Sequence, residues 1–153
     1  MTFELVIVGF GNTLRRDDGV GPVVVELLMA HGPFNGVATL ARPTLTPDLA
    51  EILADSRAVI FVDASAELEP GFVECRRISG DPTEDVSLVH SLSPGALLTW
   101  TGVLYGRAPA AELWLIGVES TELSETLTDT VRARVPQVVA ALRERIALAQ
   151  RAR

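Results

Sequence analysis

The stretch "VIVGFGNTLRRDDGVGPVVVELL", residues 6–28, reads as a strand, a glycine turn and a helix in immediate succession. The β-branched run from Phe3 to Val8 stops at Gly9, as a buried strand does. Val20, Val23, Val24, Leu27 and Leu28 then recur at helical spacing until His31-Gly32-Pro33 breaks the pattern. The intervening Gly9-Phe10-Gly11 begins like a dinucleotide-binding turn, but Leu14 stands where that fingerprint needs its third glycine. Asp17 and Asp18 follow, and two carboxylates would repel a pyrophosphate approaching the helix. A simpler use is that the glycines let the loop turn tightly while Asp17 or Asp18 caps the helix beginning near Gly19. Two in succession allow one to cap while the other faces a cleft.

Outward from this unit, strands and helices alternate. Val37–Leu40 reads as a second strand, and Pro47–Leu53 as a short helix with Thr46 as its cap. "AVIFV", 58–62, is a continuous apolar run of the kind that lies mid-sheet, covered on both faces. Phe72–Ile78 alternates apolar and polar residues and reads as a half-exposed strand near an edge. A polar loop, 79–91, precedes a helix opened by Ser93-Pro94 and running to about Leu104. Glu112–Val118 is the last strand, and a helix from Thr128 to the C-terminus carries Pro136 as a kink point. The alternation predicts a single α/β domain over 1–153, a three-layer sandwich with a mostly parallel, twisted sheet of about five strands flanked by helices. In such sheets ligands bind outside the carboxyl ends of the strands, so the loops after Val8, Val62 and Ile78 are expected near the site.

Composition restricts the function. The 153 residues are 48% hydrophobic with a net charge of −7, enough apolar material for a core and the wrong sign for a phosphate backbone. The expected ligand is a cation, a peptide or a small molecule, with no nucleic acid. No apolar run is long enough to span a bilayer, and Met1-Thr2-Phe3-Glu4 lacks the order of a secretory signal, so a cytoplasmic location is expected. The lone cysteine, Cys75, permits no internal disulfide and no cysteine-based metal cluster.

Three residues could meet at one edge of the sheet. Asp63 directly follows the run 58–62, at the floor of the expected crevice, where it either does chemistry or accepts loop N–H groups. His90 lies in the polar loop before Ser93, and Asp18 in the first loop. Two carboxylates and an imidazole are mixed oxygen and nitrogen ligands suited to a divalent metal such as nickel or zinc, with positions left open for substrate. His31, at a helix end, has only the role of complementing the dipole.

With these residues in view, the chain resembles the hydrogenase maturation proteases, the peptidases that trim the C-terminal tail from the large-subunit precursor of [NiFe] hydrogenases. The resemblance lies in "VGFGNTLRRDDGVGP" at 8–22, "FVDAS" at 61–65 and "HSLSPGALL" at 90–98, in order and spacing. It implies that Asp18, Asp63 and His90 are the catalytic, metal-binding set, with Asp17 capping or bracing the helix start. It also implies that the metal is the nickel already seated in the precursor and that cleavage follows a His or Arg near the precursor's last cysteine pair. "GVESTEL", 117–123, departs from the many members with a proline after that strand, while "TLTPDLAEIL", 44–53, is similar to members serving soluble, cofactor-linked hydrogenases. Two other readings stand beside this one. A serine peptidase would draw Ser65, Ser91 or Ser93 together with His90 and Asp63, but no G-x-S-x-G elbow is present, and Cys75 within a strand is a poorer nucleophile still. A dinucleotide-type binding module is opposed by the missing third glycine.

Overall fold

The computed structural model describes residues 2–83 and 92–152. Five strands form one sheet: β1 (Leu5–Phe10), β2 (Val37–Arg42), β3 (Ala58–Ser65), β4 (Val73–Ile78) and β5 (Ala110–Gly117), in the order β2-β1-β3-β5-β4. β2, β1, β3 and β5 are parallel, and only β4 runs antiparallel, on β5. The helices are α1 (Val20–Met29), α2 (Leu49–Ala54), α3 (Pro94–Tyr105) and α4 (Asp129–Arg151). This is the expected three-layer arrangement, with the run 58–62 in the central strand.

The layers follow from the alternation of side chains along each strand. Ile7, Ile60, Val62, Trp114 and Ile116 pack with α1 and α4 on one face. Val6, Val8, Val59 and Phe61 pack with α2 and α3 on the other. Asp63 shares the second face with Val59 and Phe61. α3 begins as its sequence dictates: Ser93 Oγ accepts from Ala96 N at 3.0 Å, Pro94 occupies the first turn, and Gly106 closes the helix in the left-handed region. α4 continues through Pro136 to Arg151.

Several boundaries differ from expectation for physical reasons. β1 does not stop at Gly9 but runs to Phe10, because Gly9 is paired on both sides, with Ala41 and Val62. Its missing side chain serves helix packing instead: a Cβ there would lie 2.2 Å from Gly21 O on α1. α2 starts at Leu49 rather than Pro47, since the Thr46 hydroxyl bonds the Asp48 carboxylate and caps no backbone N–H. β3 continues past Val62 to Ser65 because β5 pairs with it residue by residue to Ser65–Gly117.

The antiparallel β4 corrects one further expectation. Ile78 pairs with Ala111 near the start of β5, so it lies at the amino edge of the parallel strands, away from the expected site. The chain then returns beside α3, where Asp81 N donates to Gly95 O at 3.4 Å, and Leu92 N donates to Leu45 O at 3.0 Å just beyond β2. His90 and Ser91 lie outside the described residues.

Candidate active site

The sheet reverses its winding between β1 and β3, the place where a doubly wound sheet opens a crevice at its carboxyl edge. The β1–β3 ladder ends at Gly9–Val62, while β3 stays paired with β5 as far as Ser65. Asp63 therefore sits one residue past the point where β1 and β3 part. Its Oδ1 accepts from Ala64 N at 2.8 Å. Burial is the main cause that lifts its carboxyl pKa to about 7; the Ala64 N–H pulls the other way, and the negative charge of Asp18 adds to the lift.

Asp18 reaches that position through a short 3₁₀ turn, Arg16–Gly19, that precedes α1. Gly11 has φ +146°, and a Cβ on it would lie 2.0 Å from Asp18 O, so only glycine lets the loop fold back this closely. Asp18 Oδ2 accepts from Asn12 N at 2.8 Å, and Asn12 Oδ1 accepts from Leu14 N at 2.9 Å. Neither aspartate caps α1. Its N-cap is Gly19, which makes no side-chain cap bond, because the 3₁₀ turn holds both carboxylates ahead of the helix.

Asp17 points the opposite way and is fully buried. Oδ1 accepts from Thr128 N at 2.8 Å, while Oδ2 accepts from Thr128 Oγ1 at 2.7 Å, Glu119 N at 2.9 Å and Ser120 N at 3.1 Å. Burial alone would raise its pKa, but the bonds from Thr128, Glu119 and Ser120 together outweigh that and leave it lowered. Asp17 is thus a brace between the 3₁₀ turn and the loop from β5 to α4, not a brace of the start of α1. The reading of the sequence had not singled out Thr128 as its partner.

The arrangement brings Asp18 and Asp63 to one edge. Burial and the charge of Asp18 both disfavour the ionised Asp63 carboxylate, which a cation placed between the two would relieve, so the donor set fits a divalent metal. Among the described residues no third His, Cys, Asp or Glu joins them to complete a metal set, and His90 is not one of those residues. Ser65 Oγ accepts from Glu67 N at 3.2 Å, and Ser93 Oγ is the cap of α3. The Cys75 thiol is raised by partial burial and by Glu112, which disfavours the thiolate, and it stands on β4 opposite Trp114. His31 is exposed just beyond the end of α1. Among the described residues no helix is long and apolar enough to cross a membrane.

No family model and no curated protein matches the chain. Solved structures do. A [NiFe] hydrogenase maturation protease HycI from Thermococcus kodakarensis KOD1 is 24% identical with a TM-score of 0.75, over 95% of this chain and 93% of that one. A hydrogenase 2 maturation peptidase from the Thaumarchaeota archaeon SCGC_AB-539-E09 is 24% identical at a TM-score of 0.70, over 94% and 98%. These two establish the fold. The hydrogenase maturating endopeptidase HybD from E. coli is 28% identical at a TM-score of 0.66, over 92% of both chains. Joined to the loop 8–22 and its two aspartates, that likeness along nearly the whole length makes the chain similar in fold and in sequence to the hydrogenase maturation proteases, which are hydrolases of peptide bonds.

Proposed function

We propose that this peptidase removes the C-terminal extension of a nickel-loaded [NiFe] hydrogenase large-subunit precursor in the cytoplasm, and that the nickel is read as a recognition element. The observation that carries the proposal is the Asp18–Asp63 pair, in which burial and like charge hold Asp63 at about 7 beside a second carboxylate. A divalent cation relieves both costs at once. Asp18 and Asp63 are assigned as oxygen ligands, and His90 as a nitrogen ligand on the strength of the motif "HSLSPGALL", 90–98. Leu92, two residues beyond His90, is bonded to Leu45 at the carboxyl edge.

The metal is supplied with the substrate in this reading. Two carboxylates and one imidazole leave coordination positions that precursor thiolates fill, so the free protease holds metal weakly and the two proteins share one ion. The same three residues then orient the precursor's tail, and Asp63, with its carboxyl at about 7 in the metal-free site, gives up its proton when the nickel arrives.

The test uses chelator-treated protease with nickel-loaded and nickel-free precursor, followed by mass measurement of the precursor's C-terminus. The loaded precursor should be cut and the nickel-free one should remain whole even at high protease concentration. Activity lost on chelation and restored by zinc would instead indicate a metallopeptidase with its own activated water.

A further inference from the structure

Among the described residues Asp17 is the only fully buried ionisable side chain, and the reaction proposed above makes no use of it. Its four hydrogen bonds all come from residues 119–128, on the connection between β5 and α4. β3 lies between β1 and β5 in the sheet, so the brace passes over the carboxyl end of β3, the strand of Asp63. The backbone repeats the link: Asp17 N donates to Ser120 O at 3.1 Å, Arg16 N to Ser124 O at 2.9 Å and Ser124 N to Leu14 O at 3.0 Å. Arg16 is held at φ +52° between them, the one non-glycine with positive φ among the described residues, a conformation that persists only where its surroundings over-determine it.

Asp18 is the next residue. Its backbone is packed against Gly11 and its carboxylate is tied to Asn12 N. The turn carrying Asp18 is therefore fixed from two sides, by the glycine loop and by the 119–128 connection, and its direction toward Asp63 depends on both. We propose that Asp17 and Thr128 are positioning residues for peptide cleavage, acting by aiming Asp18 rather than by touching substrate. The inference rests on the proposed role of Asp18, and it makes the β5–α4 connection part of the active-site scaffold.

Thr128 offers the cleaner probe. Its hydroxyl donates to Asp17 and makes no cap bond to α4, so Thr128→Val removes one bond to Asp17 while the Thr128 N–H bond to Oδ1 can remain. Thr128→Ser keeps the hydroxyl. Kinetics are read on nickel-loaded precursor at a temperature where circular dichroism shows each variant fully folded. Thr128→Val should lower kcat by roughly 10- to 100-fold, the size of effect typical when a group orienting a metal ligand is lost, with KM unchanged and Thr128→Ser close to wild type. Asp17→Asn should lower kcat further if it folds; the Thr128 pair decides the question if it does not. A lowered Tm with unchanged kcat in folded Thr128→Val would make the brace purely structural and overturn the inference, as would equal losses in the valine and serine variants. Wild-type protease that fails to cut the loaded precursor would overturn the proposed function itself.

Discussion

Asp18, on the 3₁₀ turn after β1, and Asp63, on β3, share one electrostatic environment: burial lifts the Asp63 carboxyl to about 7, and the charge of Asp18 adds to that lift. The native state consequently binds a proton at Asp63 that the unfolded chain, with a carboxyl near about 3.9, releases. Native protons exceed unfolded protons between those values, so the Asp63 contribution to stability falls as pH rises from about 4 to about 7 and is level above. Carboxylates with lowered values, Asp17 and Glu112 among them, add slopes of the opposite sign at lower pH, so the comparison is with a variant. Asp63→Asn is neutral at every pH and should be more stable than wild type at pH 8, by on the order of 2 to 4 kcal/mol, with the advantage shrinking toward pH 5. Tm values at the two pH values check this, and a constant difference between variant and wild type would refute the assignment.

Asp18→Asn separates charge from structure. The amide keeps an oxygen to accept from Asn12 N, so Tm should stay within the few tenths of a kcal/mol typical of a site away from the core. Processing should fall by more than about 100-fold, since under the proposed assignment a ligand is lost rather than a group behind one. The same substitution removes a negative charge beside Asp63, so the pH dependence described above should shift to lower pH. His90→Ala is expected to abolish processing likewise with the fold retained. Normal processing by either variant would end the metal reading.

Much of this site was legible because it is encoded locally. The unbroken run 58–62 marks a central strand, and a carboxylate directly after it falls at the carboxyl edge. Ser93-Pro94 announces a helix start, and the bond from Ala96 N to Ser93 Oγ is what that pair is for. What escaped was non-local. The partner of Asp17 is Thr128, 111 residues away, and no spacing rule joins them. The direction of β4 was missed for a different reason. The connection 66–72 between β3 and β4 is shorter than a parallel crossover requires, and that length was the signal that would have placed Ile78 at the far edge.

The glycines of the first loop give the most direct test of how the site is assembled. A Cβ on Gly21 would lie 2.3 Å from Val62 O, 2.7 Å from Phe10 O and 2.9 Å from Phe10 N. All three are backbone atoms of β1 and β3, held in the sheet and unable to yield as a side-chain tip could. Gly21→Ala must lift the first turn of α1 away from the sheet, and with it the preceding turn that carries Asp18, while Asp63 stays on β3. The cost should exceed about 3 kcal/mol, at the upper end of overpacking effects, and processing should fall even in the folded fraction. Gly102 is the control. It lies within α3, and a Cβ there meets nothing within 4 Å, so Gly102→Ala should stabilise by about 0.5 to 1 kcal/mol through helix propensity. For a chain of this size that is a rise in Tm of about 1 to 4 °C, with processing unchanged. Opposite signs for the two alanines in thermal melts would confirm that α1 rests on β1 and β3 through bare backbone; a Gly21→Ala protein as stable as wild type would refute that contact.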